Sequence, residues 1–308
     1  MSMVETSKLT KVYDGVKVVD GLNLKIEEGQ IFGFLGPNGA GKTTTILMLL
    51  GLTVPTSGSA SIAGFNSTRE ALKVKSISGY VPEKVGFYND LNARQNLLYT
   101  ANLNGFFGDQ ADKIVVKAIE DVGLKERMED KVGHYSKGMR QRLAIADVLV
   151  KQPKVAFLDE PTSGIDPAGI NQILDLIGRI AKQNEMTIIM SSHQLSQVQS
   201  ICTHVGIMSK GKLVSHGSIA ELSKRASGDK VIIEIQLAEV PPEIVDALRR
   251  IKGVKTVTQN QTTLTISCNE DLRRQISKVI AEKNGLITQM ELRSLTLDDI
   301  YMSILQEA

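Results

Sequence analysis

The sequence lacks three features that would each have pointed to a particular class of protein. It has only two cysteines in 308 residues, Cys202 and Cys268. Their separation matches no metal-binding spacing, so we interpret both as free thiols in a reducing compartment. No apolar run reaches the roughly 18 residues of a membrane-spanning helix, so we expect none. Charge is balanced as well, with 36 Lys and Arg against 34 Asp and Glu, and it predicts no nucleic-acid partner.

The first residues contain Glu5 and Lys8 and no apolar block, which is not the pattern of a signal peptide. We therefore expect a cytoplasmic protein. A chain of 308 residues has room for about two domains, each with its own core.

The first chemically informative stretch is rich in glycine and fits the pattern G-x-x-x-x-G-K-[ST]. An apolar run that is typical of a buried parallel strand, Ile31–Leu35, precedes it, and a helix follows. In that setting backbone N–H groups and the positive end of the helix bind phosphates. Lys42 is predicted to reach the β- and γ-phosphates of a nucleoside triphosphate, and Thr43 to ligate Mg²⁺. The stretch consists of Gly36, Pro37, Asn38, Gly39, Ala40, Gly41, Lys42, Thr43 and Thr44.

A second buried strand, formed by the four apolar residues Val155–Leu158, delivers two carboxylates at its C-terminal end, where open α/β sheets bind ligands. Asp159 suits a water-mediated contact with Mg²⁺ beside Thr43. Glu160 suits the role of general base for the water that attacks the γ-phosphate. Taken alone, the two acids could equally cap the turn before Pro161.

Two further residues are weaker candidates. Tyr13 ends the first predicted strand and is placed to stack on a purine, although strand-end tyrosines more often serve packing. His193 follows the buried strand Thr187–Met190 and is placed to orient the attacking water, although a lone histidine is more often a surface or core residue. Among the remaining elements, helices are predicted over Asn92–Asn104, Ala111–Val122 and Lys137–Val150.

With these residues in place, positions 3–225 resemble the nucleotide-binding subunits of ABC transporters. The run from Phe157 to Asp166 resembles the Walker B segment and the D-loop, which includes Ser163, Gly164 and Asp166. The run from Tyr135 to Met139 stands where that family carries its signature motif. The resemblance implies that Tyr13 stacks on adenine, that His193 is the switch histidine, and that Ser136 and Gly138 contact the ATP of a partner subunit.

Two departures from the family pattern stand out. The usual signature Leu-Ser-Gly-Gly-Gln is here Tyr-Ser-Lys-Gly-Met, so Met139 replaces the glutamine amide. The usual glutamine of the Q-loop is Glu83, which can still accept a hydrogen bond from a water on Mg²⁺. Both variants resemble those of the ABC-2 export branch, which includes antibiotic-resistance and sodium-efflux ATPases.

The resemblance implies an α/β fold with a P-loop NTPase core, an antiparallel β subdomain and a helical subdomain at about 84–152. It also implies ATP and Mg²⁺ as cofactors and a head-to-tail homodimer. That dimer would drive a separate membrane-spanning permease from the inner face of the cell membrane, through contacts around Val81–Phe107. Exposed Phe87, Tyr88, Phe106 and Phe107 would suit that contact, although local packing explains them equally well.

The sequence divides into an ATPase domain, residues 1–226, and a C-terminal domain, residues 230–308. A linker is expected at Ala226–Asp229. The C-terminal domain has the element order β-α-β-β-α-β of a ferredoxin-like fold, followed by a helix at Leu297–Leu305. We expect it to brace the ATPase pair, with binding of a regulator as the alternative.

The interpretation that results is the ATPase subunit of an ABC exporter. Three rivals are a soluble ABC-type ATPase without a transport role, an importer subunit with a regulatory C-terminal domain, and a P-loop kinase. A P-loop kinase would need neither Glu160 as a base for water nor the signature segment.

Overall fold

The computed structural model describes residues 2–222, 231–293 and 301. Its contacts divide the chain into two units, Met1–Ser218 and Ile219–Glu307. The predicted linker at Ala226–Asp229 lies outside the described residues. So does the predicted final helix, apart from Tyr301.

The first unit contains two sheets. The antiparallel sheet has the strand order β2-β1-β4-β5 and the larger sheet has the order β10-β9-β3-β8-β7-β6. Strands β6, β7, β8, β3 and β9 run parallel, and β10 closes one edge antiparallel to β9. The strands are β1 Ser2–Tyr13, β2 Val16–Glu27, β3 Ile31–Leu35, β4 Ser57–Ile62, β5 Phe65–Asn66, β6 Ser78–Val81, β7 Val155–Asp159, β8 Thr187–Ser192, β9 His204–Ser209 and β10 Lys212–Ser218.

Seven α-helices accompany these strands in the described part of this unit. They are α1 Lys42–Leu49, α2 Ala71–Ile77, α3 Ala93–Leu103, α4 Gly108–Asp121, α5 Lys137–Val150, α6 Pro167–Gln183 and α7 Leu195–Ile201. Side chains set several of their starts: Asn92 caps α3 in a capping box with Gln95, and Ser136 caps α5. Asp166 caps α6 ahead of Pro167. These residues satisfy N–H groups that the first helical turn leaves free.

The register of the parallel strands sets the position of the site. Leu35 at the end of β3 pairs with Ser192 of β8, and Asp159 at the end of β7 pairs with Ser191 of β8. The carboxyl ends of three adjacent strands are therefore level with one another. Behind them lies a core that contains the fully buried rings of Phe34 and Phe157.

Between residues 231 and 293, the second unit is an antiparallel sheet with two helices. Strands β11 Val231–Leu237, β12 Val254–Asn260, β13 Thr263–Cys268 and β14 Ile287–Arg293 alternate with helices α8 Pro242–Arg249 and α9 Arg273–Glu282. The order of the strands is β12-β13-β11-β14. The described elements have the predicted β-α-β-β-α-β order. Residues such as Ile235, Leu248, Ile266 and Ile276 form a separate core.

Three predictions about local structure were wrong or incomplete. Helix α4 begins at Gly108 instead of the predicted Ala111, and Asp109 in its first turn suits the positive helix end. The sequence predictions include no element between residues 194 and 218, where α7, β9 and β10 lie.

The third of these predictions was that four aromatic residues would be exposed. Tyr88 and Phe107 are 56% and 66% exposed, whereas Phe87 and Phe106 are half-buried. Phe106 folds back because its N–H bonds to Ala101 O at 3.0 Å, past Gly105, whose φ of 87° reverses the chain at the end of α3.

Candidate functional site

A cleft of about 300 Å³ opens at the carboxyl edge of the parallel sheet. The glycine-rich loop after β3 forms one side, and the segments after β6, β7 and β8 form the other. Its lining residues are Val18, Asn38, Gly39, Gly41, Lys42, Thr43, Thr44, Glu83, Glu160, Ser163 and His193. Most of the predicted site residues therefore meet in one place.

The glycine-rich loop wraps around the side chain of Lys42. This side chain is 6% exposed, and its Nζ donates to Gly36 O at 2.7 Å and to Pro37 O at 3.2 Å. Gly41 has a φ of 100°, and a Cβ there would lie 2.5 Å from Val18 O, so only glycine fits. Helix α1 begins at Lys42 and directs its free N–H groups into the cleft, where they suit phosphate oxygens.

Asp159 is held by two hydroxyl groups. Thr43 Oγ1 donates to Asp159 Oδ1 at 3.1 Å, and Ser191 Oγ donates to the same oxygen at 2.5 Å. The carboxylate is 2% exposed. Burial and the negative charge of Asp159 together raise the pKa of Tyr80 to about 12. This pairing of a hydroxyl with a carboxylate suits Mg²⁺, which prefers oxygen ligands and binds few protein groups when a nucleotide supplies the others.

The carboxylate of Glu160 has one oxygen fixed and one available. Oε2 lies 2.8 Å from His193 Nδ1. Oε1 lies 3.4 Å from Lys42 Nζ, close enough for an ion pair, but it is buried and accepts no hydrogen bond within the described part of the chain. A buried oxygen without a hydrogen bond costs about 1–3 kcal/mol of stability. Oε1 is therefore placed to accept a hydrogen bond from a donor such as water.

The backbone at Glu160 is strained. Its φ is 46°, a left-handed conformation that costs a residue with a Cβ about 1–2 kcal/mol. Two hydrogen bonds fix it: Glu160 N donates to Ser191 Oγ at 2.9 Å, and Ser163 N donates to Glu160 O at 3.0 Å. Strain that neighbours hold in place is common at functional sites.

Glu83 lies in the cleft, but its side chain bonds to the D-loop. Its Oε1 accepts from Ser163 Oγ at 3.5 Å. The next residue, Gly164, has a φ of 66°, and a Cβ on it would lie 2.1 Å from Lys137 Nζ. Asp166 caps α6 by accepting from Gly169 N at 3.1 Å. The D-loop thus contacts the two segments that depart from the family pattern, which are the loop with Glu83 and the signature segment with Lys137. The contact of Glu83 with Mg²⁺ stays a prediction.

Tyr13, Ser136 and Gly138 are among the predicted residues that do not line this cleft. The ring of Tyr13 is 45% exposed, with Lys11 Nζ 4.8 Å from its centroid. Ser136 is exposed, and its Oγ accepts from Met139 N at 3.2 Å, which leaves the hydroxyl proton free to be donated. Open space surrounds Gly138. Exposed donors at the start of α5 are what a contact with another subunit's nucleotide requires.

The sequence reasoning missed two residues of the site. Val18 lines the cleft from strand β2. The hydroxyl of Ser191 bonds to the side chain of Asp159 and to the backbone of Glu160. The position of Ser191 at the end of an apolar strand beside the predicted His193 was the one available signal, since a hydroxyl there faces the neighbouring strand end.

Comparison with known proteins identifies the class. A family model described as "ABC transporter" matches residues 19–163, and one described as "ATP-binding protein DrrA1-3-like, C-terminal domain" matches residues 217–305. The chain belongs to the ATP-binding proteins of ABC transporters, which bind and hydrolyse ATP. The predicted family and P-loop ABC ATPase fold are confirmed.

Individual relatives are similar over most of the chain. The bacitracin transport ATP-binding protein BcrA of Bacillus licheniformis is 42% identical over 79% of this chain and 78% of its own. The daunorubicin/doxorubicin resistance ATP-binding protein DrrA of Streptomyces peucetius is 30% identical over 98% and 92%. Among solved structures, cbiO1 of Clostridium perfringens, part of the ABC transporter complex cbiONQ, has a TM-score of 0.66 at 27% identity. It covers 73% of this chain and 94% of its own.

No helix within residues 2–222 and 231–293 is long and apolar enough to cross a membrane.

Proposed function

We propose that this chain is the ATPase subunit of an exporter, and that it works as a head-to-tail homodimer beneath a separate membrane-spanning permease. The similar protein cbiO1 is itself part of an ABC transporter complex, cbiONQ, which fits a subunit that works with partners. Support for export comes from the relatives, which are named for bacitracin transport and for daunorubicin and doxorubicin resistance. The protein would then sit on the inner face of the cell membrane through its permease.

The observation that carries the proposal is the geometry of Glu160. With His193 on one oxygen and the other oxygen free of hydrogen bonds, the carboxylate can take a proton from a water beside the γ-phosphate. The water oxygen forms the new bond to phosphorus, and the bond to the β-phosphate oxygen breaks, leaving its electron pair on ADP. Lys42 and the N–H groups of α1 bind the phosphates throughout.

Mg²⁺ would be held by Thr43 directly and by Asp159 through water, and it would neutralise phosphate charge when bound. The hydroxyl and carboxylate oxygens of these two residues, 3.1 Å apart, fit it. Ser136 and Gly138 would close the sandwich by donating to the γ-phosphate bound by the other subunit.

The surface around α3 supports a permease contact. Leu52, Tyr99, Leu103 and Phe107 are between 50% and 71% exposed, and such a concentration of exposed apolar side chains marks an interaction surface. We further propose residues 230–308 as an accessory domain that strengthens pairing, because the catalytic residues lie before it.

Glu160→Gln tests the function. The substitution removes the proton acceptor but leaves the phosphate loop intact, so hydrolysis should fall about 10²–10⁴-fold while ATP affinity is retained. ATP should also hold the variant as a dimer, measured by light scattering. Glu185→Gln is a matched control, since Glu185 has a similar φ of 48° but is exposed at the end of α6. Hydrolysis within a few-fold of wild type in Glu160→Gln would overturn the assignment.

A further inference from the structure

A second cavity, of about 440 Å³, adjoins the nucleotide cleft. It lies between the loop after β6, the first turns of α5 and the D-loop. Glu83 and Ser163 line both spaces, so these two side chains form the wall between them. The lining residues are Glu83, Lys84, Val85, Tyr135, Lys137, Arg140, Gln141 and Ser163.

The charge of this second cavity is positive. Lys84, Lys137 and Arg140 face a single carboxylate, Glu83. Arg140 Nη2 donates to the backbone oxygen of Gly133 at 3.1 Å, and its other N–H groups remain for a ligand. The N-terminal turn of the 14-residue helix α5 adds positive potential. Cations gathered in a cavity around few anions favour an anionic occupant.

Gln141, which also lines this cavity, adds a second feature that calls for an acceptor. Its side chain is 8% exposed, and its buried Nε2 donates to no acceptor in the described part of the chain. A buried amide without a partner is unfavourable. An anion with several acceptor oxygens in the second cavity would satisfy this donor and the cations together.

We propose that the second cavity is a subsite for inorganic phosphate, in which the phosphate released by hydrolysis rests after it leaves the nucleotide cleft. The inference rests on the proposed function, since hydrolysis supplies the ligand. Phosphate fits because its oxygens accept from donors in several directions, as the ammonium, guanidinium and amide groups here require. It reaches the subsite past Ser163 and Glu83, whose side chains meet through one long hydrogen bond of 3.5 Å.

The test is calorimetric titration of inorganic phosphate into the full chain. The protein is first saturated with Mg²⁺ and a non-hydrolysable ATP analogue, so that the phosphate loop and the γ-phosphate position are filled. Ionic strength is held constant, because screening alone changes anion binding. Saturable binding of one phosphate is expected. Absence of saturable binding in the wild type would overturn the subsite.

Arg140→Gln should weaken phosphate binding about tenfold, the effect of one charge-assisted contact. Arg142→Gln is the matched control, because Arg142 lies on the same helix but its side chain bonds to Gln172 of α6. Lys84→Gln, at an exposed loop position, is a second test that does not disturb a helix, and it should weaken binding to a smaller degree. Equal losses in the Arg140 and Arg142 variants would show unspecific charge attraction and refute the subsite.

ATP affinity is measured on the same preparations. This measurement separates the phosphate subsite from the proposed function. A wild type that binds ATP but no second phosphate contradicts only the subsite. A folded wild type that binds no ATP contradicts the proposed function itself.

Discussion

Ser191→Ala should disable hydrolysis without touching a nucleotide-binding residue. The Ser191 hydroxyl donates to Asp159 Oδ1 at 2.5 Å and accepts from Glu160 N at 2.9 Å. One buried side chain therefore orients both the acid assigned to Mg²⁺ and the acid assigned to water. Removing the hydroxyl leaves the carboxylate with Thr43 alone and leaves the backbone N–H of Glu160 without its acceptor.

The magnitude follows from those two contacts. A hydrogen bond to a charged group contributes about 1.5–3 kcal/mol, and an N–H left buried without an acceptor costs about 1–3 kcal/mol. The two effects overlap, so a loss of about 2–4 kcal/mol in the free energy of unfolding is expected. The released strain at Glu160, worth about 1–2 kcal/mol, should let its backbone relax. A displacement of about 1 Å in a catalytic group can cost about 10²-fold in rate.

Ser192→Ala is the control, because Ser192 is equally buried and its hydroxyl accepts from Gln194 N at 2.9 Å without contacting either acid. Both variants should unfold at lower denaturant concentration than wild type. Single-turnover hydrolysis at saturating ATP should fall about 100-fold in Ser191→Ala and stay within a few-fold in Ser192→Ala. Equal hydrolysis rates in the two variants would refute the positioning of the acids by Ser191.

Two further predictions concern pairing and the C-terminal domain. A mixture of Ser136→Arg and Lys42→Ala subunits should form one composite ATP site per heterodimer. Head-to-tail pairing would be refuted if this mixture bound no more ATP in the closed state than either variant alone. A chain that ends near Ser227 should bind ATP with unchanged affinity, measured by calorimetry, but dimerise more weakly, measured by light scattering. If this shortened chain is folded but does not bind ATP, the C-terminal domain does more than brace the pair.

The sequence predicted the parts of the site that lie on regular elements. Strands β3 and β7 each have a short apolar run that is followed by glycine or by an acid. The bounds of both strands were predicted to within one residue, because burial on both faces requires continuous apolar sequence. Helix α5 was predicted at Lys137–Val150, where it lies, because Ser136 has the residue type of a cap and Pro153 prevents continuation.

Contacts between distant segments were beyond the sequence reasoning. The pairing of Ser191 with Asp159 depends on the order of β7 and β8 in the sheet, which periodicity does not encode. The left-handed backbone of Glu160 depends on a hydrogen bond from another strand. Glu83 was assigned from the family pattern, whereas its contact with Ser163 arises from the path of the D-loop.

The arrangement around Lys42 links phosphate binding to the chemistry of Glu160. The ammonium lies 3.4 Å from Glu160 Oε1 and donates to two carbonyls of the phosphate loop. A triphosphate carries several negative charges and would attract the ammonium more strongly than one carboxylate does. Its arrival would draw Lys42 away from Glu160 while His193 keeps Oε2 in place. Oε1 would then change from an ion-pair partner into an acceptor for water once the triphosphate is bound.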